Sequence, residues 1–481
     1  MDSSYSHSQQ PPDSSSLAAA FGELPGGLFP VLEPDALRRT VQEHGAHFGE
    51  LWTFSVTLWA FLSQCLFGDK SCTAAVARVI ALFAGCGEPP SANNGAFCKA
   101  RAKIPVALLE RLTTDVGQSL SDQAPPQWLY KGRHVKLVDG TTVSGPDTAA
   151  NQEQYPQSKT QKKGLGFPLI RLVVVMCLAT AVVVDAKCSP YAGKGMGEPN
   201  LLRQMFDSFH TGDILLGDRY YCSWVMIAAL QQRGVDVCFR HHQRRKSIAK
   251  TGTRLGEGDY VGTWDRPKAK PEWMSEEQFA ALPAEIRIRE VHFRVAVPGF
   301  RVRDVIVVTT LLDHELHSRE EIAGLYRQRW HVELNLRSIK TRMKMDILSG
   351  KTPAMLRREV WGHLLTYNLV RRLMMCAAVE KKCSPLELSF TGAMNQLQAG
   401  YVSRSMSKEC DRESEVKALV KAVGQNRVGR RPNRYEPRGT KRRKNTHKLL
   451  TKPRNEARRE LLAKSLAAPV APVPGESPGT E

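Results

Sequence analysis

A stretch without glycine or proline, from Tyr326 to Lys340, constrains the fold of this chain more than any other. It follows Ser318-Arg-Glu-Glu, which has the sequence of a helix-capping box, and the combination predicts one long helix that ends at about Met345. Apolar residues recur at helical spacing from Leu325 onwards. One face of the predicted helix is therefore expected to pack on a core.

A polar stripe follows the neighbouring face of this helix. At about 100° per residue, one carboxylate, one phenol and three cations point the same way. The stripe consists of Tyr326, Arg329, Glu333, Arg337 and Lys340. A solvated helix face with an i,i+4 ion pair, either Arg329 with Glu333 or Glu333 with Arg337, gives such a pattern too, and on general grounds it is the commoner explanation.

Fixed gaps distinguish this helix from an ordinary solvated one. Tyr326, Arg329, Glu333 and Lys340 match the pattern Y-x2-R-x3-E-x6-K without a departure. In this the sequence resembles the bacterial insertion-sequence DDE transposases of the IS-four family. The resemblance implies an RNase H-like catalytic core and two further aspartates on strands upstream of Glu333.

Two short, largely apolar runs upstream, the first of them β-branched, are each followed by an acid. Asp139 and Asp218 come after these runs and are expected near the ends of buried strands. Asp213 competes for the second role but would begin its strand, and Asp147 and Asp185 are further acids of the same region. Each aspartate alone is a weak signal, because Asp-Gly after a strand is more often a turn. The pair gains weight only together with the signature helix.

The order of the predicted elements is strand, hairpin, helix, strand, helix, strand. This order is typical of an α/β fold, an RNase H-like mixed sheet with flanking helices. Acids at neighbouring strand ends lie close together in that fold, so Asp139 and Asp218 are expected beside Glu333. The interval from Asp218 to Glu333 is longer than one helix and one strand require, and its β-like runs predict a β-rich insertion. The IS-four resemblance implies such an insertion as well.

The chain divides into several predicted segments. They are a disordered leader (1–30), an N-terminal helical DNA-binding domain (31–130), the first part of the catalytic core (131–240), the β-rich insertion (241–303), the second part of the core with the signature helix (304–380), a C-terminal helical and basic DNA-binding region (381–465) and a disordered tail (466–481). The N-terminal domain has a helix-turn-helix-like pattern with a basic second helix. An ordinary helical bundle with a basic surface explains that pattern equally well.

Charge indicates a polyanionic partner. The 68 Lys and Arg against 48 Asp and Glu give a formal net charge of +20, and phosphate backbones are the usual partner of such an excess. More than half of the excess lies between residues 427 and 459. Within that segment Lys441, Arg442, Arg443 and Lys444 are predicted to contact DNA, although a merely solubilising tail has a similar composition.

The predicted chemistry is metal-dependent. Two Mg²⁺ ions about 3.5–4 Å apart can stabilise both the attacking and the leaving oxygen of a phosphodiester, and Mg²⁺ prefers hard oxygen ligands such as carboxylates. Asp139, Asp218 and Glu333 are the predicted catalytic residues and metal ligands, and Mn²⁺ can substitute for Mg²⁺. The side chains of the signature helix that the resemblance assigns to DNA binding are Tyr326, Arg329, Arg337 and Lys340.

The resemblance implies a transposase that binds the terminal inverted repeats of its element, cuts the DNA and transfers the ends to a target, with two subunits paired on double-stranded DNA. The longest apolar run, residues 172–184, is too short to cross a membrane, and the expected location is the cytoplasm. Two alternatives stay open. An inactive DNA-binding repressor of transposase descent is disfavoured by the complete set of predicted ligands, and a plain RNase H-like nuclease leaves the signature stripe and the insertion unexplained.

Other motifs predict less. The eleven cysteines, an odd number, fit reduced thiols better than a disulfide framework. Cys238 with His241 and His242 lacks the second cysteine pair of a zinc site, and the glycine-rich segment 193–197 lacks the Lys-Ser/Thr end of a P-loop. In the insertion, Trp264 or Trp273 could stack on an extruded base, although membership of a small hydrophobic cluster is the commoner role.

Overall fold

The structure is a computed structural model that describes residues 47–49, 51–83, 91–295, 303–406, 412–429 and 449–467. Several sequence predictions concern residues outside these ranges. They are the disordered leader, the basic cluster Lys441, Arg442, Arg443 and Lys444, and most of the disordered tail, and they stay predictions.

Nine strands form one mixed sheet. They are β1 (Val135–Ser144), β2 (Leu169–Cys177), β3 (Val183–Pro190), β4 (Ile214–Gly217), β5 (Asp236–Arg240), β6 (Thr253–Gly256), β7 (Asp259–Asp265), β8 (Glu285–Val295) and β9 (Arg303–Thr309). Their order across the sheet is β3-β2-β1-β4-β5-β9-β8-β7-β6. β1 and β3 are both antiparallel to β2, whereas β4 runs parallel to β1 and β5 runs parallel to β4. This arrangement of the first five strands confirms the predicted hairpin and the RNase H-like fold.

Helices precede, connect and follow the strands. Before the sheet lie α1 (Phe54–Leu66), α2 (Cys72–Phe83), α3 (Gly95–Lys103) and α4 (Val106–Asp122). Between the strands lie α5 (Ala149–Gln154), α6 (Glu198–Arg203), α7 (Trp224–Gln231) and α8 (Glu276–Ala280). After the sheet come α9 (Arg319–Arg327), α10 (Trp330–Arg337), a π-helical turn (Ser338–Arg342), α11 (Pro353–Glu380), α12 (Phe390–Met406), α13 (Arg412–Gln425) and α14 (Arg454–Ala467). Among the helices of the described ranges, none has the length and hydropathy of a membrane span.

The longest helix, α11, joins the helical layer to the sheet. All residues from 359 to 371 are buried, because α1, α4, α13 and β3 pack against this helix. Asn368 fixes its position, since its side chain accepts a hydrogen bond from Val183 N and donates one to Val183 O, each at 2.8 Å. Gly117 lets α4 approach the backbone of Val183 closely, because a Cβ at position 117 would lie 1.9 Å from the Val183 carbonyl oxygen.

The N-terminal helices share this core. Every residue of α1 is buried, which is typical of a helix that is covered on all sides. α1 packs on α2, α3 and α11. Of the basic residues of α3, Arg101 donates to Gln64 Oε1 of α1 at 2.9 Å and Lys99 is exposed. DNA binding by this region stays a prediction.

β1 extends further than the sequence predicted. Asp139 was expected near the end of its strand, and this prediction is wrong, because β1 pairs with β2 as far as Ser144. The parallel neighbour β4 ends at Gly217, and the last pair between the two strands is Leu137 with Leu216. Asp139 therefore lies where one side of β1 is no longer covered by β4.

The strands β6, β7 and β8 lie in the predicted β-rich insertion. β7 pairs with β8 and β8 pairs with β9, all antiparallel. β9 in turn pairs with β5 of the core. The strands of this segment therefore continue the core sheet beyond β9.

Candidate active site

Two aspartates come together on adjacent parallel strands. The register of β1 and β4 places Asp139 at the level of Asp218, which directly follows β4. The Asp139 carboxylate accepts a hydrogen bond from Gly140 N at 2.9 Å, and the Asp218 carboxylate accepts one from Tyr220 N at 2.7 Å. Backbone donors therefore orient both side chains.

The other acids of this region lie elsewhere. Asp213 directly precedes β4, as the sequence predicted, and forms a buried ion pair with Lys136 at 2.8 Å. Asp185 lies on β3 and Asp147 is exposed in the loop before α5. These positions separate all three from the pair formed by Asp139 and Asp218.

The signature helix is interrupted, so the prediction of one helix to about Met345 is wrong. α9 and α10 are separated by a tight turn at Gln328 and Arg329, where Arg329 N donates to Tyr326 O at 3.0 Å, three residues back. After α10 the backbone widens into the π-helical turn. Neither glycine nor proline marks these changes. They accompany side-chain contacts with β1 and α11, which a local sequence pattern does not contain, and such irregular turns are frequent at functional sites.

Buried polar contacts from α11 hold α10 against the sheet. Arg371 donates to Asn335 Oδ1 at 2.6 Å and to the Tyr367 hydroxyl at 2.9 Å. Tyr367 donates to Ala181 O at 2.8 Å. The predicted apolar face of the signature segment is buried, with Val332, Leu336 and Ile339 in the core. The capping box at the start of α9 is present as predicted.

Arg329 links the carboxylates of two elements. Its Nη2 donates to Glu333 Oε1 at 2.5 Å, and its Nη1 lies 3.9 Å from Asp139 Oδ2. The contact with Glu333 is one of the two i,i+4 ion pairs that the sequence allowed. The Arg329 side chain is 17% exposed, so these charges interact more strongly than they would on an open surface.

Two carboxyl groups at this point of the sheet have raised pKa values. Burial raises the pKa of Asp139 from 3.8 to about 7, against the opposing effect of the Arg329 guanidinium, and the carboxylates of Glu333 and Asp218 add to the rise. Burial also raises the pKa of Asp218. A further cation beside these carboxylates would lower both pKa values.

The donor set has the chemistry of a magnesium or manganese site. All three candidate ligands are carboxylates, and Mg²⁺ commonly takes one or two of them and fills its shell with waters and phosphate oxygens. Within the described ranges, no group of three or more His, Cys, Asp or Glu side chains is close enough together to hold one ion. Arg329 stands between Asp139 and Glu333. Ions that each bind only one or two of the carboxylates are compatible with this spacing.

Similarity to known proteins identifies the family. A family model described as Transposase DDE domain matches residues 130–369, which include all three carboxylates. The chain is 25% identical over 310 residues to the transposase InsG of insertion sequence element IS4 from Escherichia coli strain K12, and the match covers 63% of this chain and 66% of InsG. The chain belongs to the IS4 family of DDE transposases. It is also 27% identical over 176 residues to the InsZ protein of the same strain, covering 35% of this chain and 56% of InsZ.

The matched part is just under two thirds of InsG and just over half of InsZ. Among solved structures, the transposase aligns with the piggyBac transposase in a synaptic complex with hairpin DNA over 88% of this chain and 86% of that chain. The TM-score is 0.39 at 8% identity. This structural similarity is too low to carry an argument about the site.

The other signature residues of the transposase lie in different environments. Lys340 Nζ donates to Thr141 Oγ1 at 3.1 Å, on the same face of β1 as Asp139. Tyr326 is only 8% exposed, and burial raises the pKa of its hydroxyl group. Arg337 is exposed. The stripe therefore begins in the core, passes the carboxylates and includes a cation at the surface.

The two tryptophans of the insertion differ in exposure. Trp264 is 7% exposed and belongs to the hydrophobic core, with the Arg245 guanidinium 4.5 Å from its ring centroid. Trp273 is 42% exposed, and the Arg203 guanidinium lies 3.8 Å from its ring centroid. Trp264 therefore packs in a hydrophobic cluster, the commoner of the two roles that the sequence allowed. In Trp273 one face of the ring is already covered by a cation.

A fourth carboxylate beside the aspartates, that of Glu198, was not predicted from the sequence. Glu198 is the first residue of α6, and its carboxylate packs against Gly140 of β1. The local signal is Glu-Pro after a glycine, which marks the start of a helix and nothing more. Only the packing of α6 on β1 connects Glu198 with the site.

Proposed function

We propose that this transposase binds the terminal inverted repeats of its insertion sequence as double-stranded DNA, cleaves the DNA at their ends and joins those ends to a target. The observation that carries the proposal is that the Arg329 guanidinium lies next to the carboxylates of Asp139 and Glu333, with Asp218 level with Asp139 on the next strand. Asp139 and Asp218 come from parallel strands, and Glu333 comes from the signature segment. All three lie in the part of the chain that matches the DDE domain.

Asp139, Asp218 and Glu333 are the proposed ligands of two Mg²⁺ ions, for which Mn²⁺ can substitute. When bound, such ions activate the attacking oxygen and neutralise charge on the leaving oxygen of the phosphodiester. The protein contributes the fixed positions of the three carboxylates. Two of the carboxylates are fixed by the strand register and by backbone donors, and the third is fixed by α10.

Arg329 is proposed to exchange partners during the reaction. Its guanidinium neutralises Glu333 and, less closely, Asp139. Once these carboxylates turn to another cation, the guanidinium is free to bind a DNA phosphate through two parallel hydrogen bonds, a geometry for which arginine is better suited than lysine. The side chain therefore links the charge balance of the carboxylates to the arrival of DNA.

The remaining proposed DNA contacts extend from the carboxylates to the surface. Lys340 lies beside the strand of Asp139, and Arg337 is exposed, so both can approach phosphates. Tyr326 belongs to the proposed set through its hydroxyl group, although most of its ring is buried. The basic cluster Lys441, Arg442, Arg443 and Lys444 completes the set. Two copies are proposed to pair the two element ends in the cytoplasm.

A cleavage assay tests the proposal. The full chain is incubated with Mg²⁺ and a labelled duplex that carries the terminal repeat of its element. Glu333→Gln, which keeps the size of the side chain and a hydrogen-bond acceptor for Arg329, serves as the matched variant. We expect nicking at the repeat boundary by the wild-type protein, none by the variant, and equal binding of the duplex by both.

Two other outcomes would change the conclusion. Binding without cleavage by both proteins, in Mg²⁺ and in Mn²⁺, would indicate a DNA-binding repressor. Cleavage that occurs without regard to the repeat sequence would indicate a general nuclease.

A further inference from the structure

Gly140 leaves room for a neighbouring carboxylate. It lies within β1 and pairs with Val173 of β2, so it does not form the turn that Asp-Gly usually indicates. A Cβ on Gly140 would lie 2.2 Å from Cδ and 2.3 Å from Oε1 of Glu198. Glycine therefore admits the Glu198 carboxylate to the backbone of β1, one residue from Asp139.

A second contact ties Glu198 to the segment of the other aspartate. The Tyr221 hydroxyl donates to Glu198 Oε2 at 3.3 Å. Tyr221 is completely buried, and a Cβ on Gly217 would lie 3.0 Å from its ring. Gly217 and Tyr221 lie on either side of Asp218 in the chain. The Glu198 carboxylate therefore contacts residues next to both aspartates, Gly140 beside Asp139 and Tyr221 beyond Asp218.

Glu198 and the signature helix approach β1 from opposite faces of the sheet. Side chains alternate along a strand, so Asp139 and Thr141 point to one face of β1 and position 140 points to the other. Lys340 of the signature segment binds Thr141, whereas Glu198 packs on Gly140. The aspartates therefore have a carboxylate-bearing helix on each face of the sheet.

Burial makes the charge of Glu198 costly. Burial raises its pKa, Arg171 opposes the rise, and the Asp218 carboxylate adds to it. A glutamine would fill the same space and accept the same hydrogen bond without the cost of burying a charge. A purely structural role thus explains the position of the side chain but not its charge.

We propose that Glu198 is a fourth acidic residue of the metal centre, acting on the bound ions from the face of the sheet opposite Glu333. The inference rests on the proposed function, because it needs a metal beside Asp139 and Asp218. From that face Glu198 adds negative charge across the backbone of β1 and so strengthens the attraction of cations to the aspartates. Residues with such a role change metal affinity by about 10–100-fold.

The test measures metal binding rather than cleavage. Full-length protein is bound to the terminal-repeat duplex, and the affinity for Mn²⁺ is measured by electron paramagnetic resonance, with Mg²⁺ as competitor. Glu198→Gln should lower the affinity about tenfold or more, while its melting temperature in EDTA should be no lower than that of the wild type. Glu153→Gln, which removes a charge from an exposed position on α5, is the control and should bind Mn²⁺ like the wild type.

The outcomes separate this inference from the proposed function. If Glu198→Gln binds Mn²⁺ like Glu153→Gln while Asp139→Asn does not, the role of Glu198 is overturned and the triad stands. If Asp139→Asn also binds like the wild type, the proposed metal centre itself fails. Should Glu198→Gln melt early, Glu198→Asp keeps the charge on a shorter side chain. It should then bind Mn²⁺ more tightly than Glu198→Gln, and equal affinities would overturn the inference.

Discussion

The Asp139 carboxylate should destabilise the metal-free protein at neutral and alkaline pH. Its pKa is raised from 3.8 to about 7, with burial as the largest cause. A carboxyl group that binds its proton more tightly in the folded than in the unfolded chain makes the fold less stable as the pH rises between those two values. Asp139→Asn removes the titration and keeps the shape. The variant should therefore be more stable than the wild type above about pH 7 in metal-free buffer, and the difference should vanish near about pH 4.

The two pKa values set the size of the effect. Between 3.8 and about 7, each pH unit changes the free energy of unfolding by about 1.4 kcal/mol, which gives an upper limit of about 4 kcal/mol. The Asp139 side chain is 20% exposed, so water weakens the effect only partly. We expect a difference of about 2–4 kcal/mol at about pH 8 in favour of the asparagine variant.

Urea unfolding in EDTA at several pH values measures this difference. Asp147→Asn is the matched control, because Asp147 is exposed and an asparagine there can still accept the hydrogen bond from Gln152. The control should follow the wild type at every pH. With Mg²⁺ and terminal-repeat DNA the order should reverse, because the ionised Asp139 then has a cation. An Asp139→Asn variant that is no more stable than the wild type at about pH 8 in EDTA would refute the reasoning.

Three further predictions concern single substitutions. Gly117→Ala should lower the free energy of unfolding by roughly 3 kcal/mol or more, although alanine favours helices, because the new Cβ would lie 1.9 Å from the backbone oxygen of Val183; an unchanged urea midpoint would contradict this. Gly140→Ala should cost only about 1–3 kcal/mol, because the end of the flexible Glu198 side chain can move away. Adding Glu198→Ala should restore much of that loss in the same assay, and an additive double variant would disprove the contact. Arg337→Ala should leave stability unchanged and reduce the salt slope of terminal-repeat binding by about one unit in fluorescence anisotropy; a wild-type slope would exclude it from the DNA surface.

The sequence predicted the core strands because each of them is a local feature. An apolar run bounded by turn residues marks β4, and Asp218 follows it as expected. Asp139 was placed wrongly because the end of β1 depends on its pairing with β2, some thirty residues away in the chain. Local patterns do not contain pairing partners. The existence of each strand was therefore easier to predict than the residue at which it ends.

The signature segment and Glu198 show the same limit on the helical side. The helical periodicity and the capping box were correct, but the tight turn at Arg329 and the π-helical turn were not predicted. These irregularities occur where the side chains of Arg329 and Lys340 contact β1, and no residue type in the segment predicts them. Glu198 was missed because its neighbours in space, Gly140 and Tyr221, are separated from it in sequence. Packing, rather than composition, brings these groups together.

The rigid sheet and the burial of Asp139 bear on how the proposed metal centre would bind a cation. Asp139 and Asp218 are held in place by the strand register and by backbone donors. Arg329 compensates only in part, since the pKa of Asp139 stays at about 7 beside it. A divalent cation that binds here would offset the cost of burying the ionised Asp139 carboxylate, which is the largest cause of its raised pKa, and this gain would add to the affinity for the cation. The substitution that stabilises the metal-free fold, Asp139→Asn, should for the same reason abolish cleavage, and a variant that gained stability while retaining cleavage would show that the charge at position 139 is not what binds the metal.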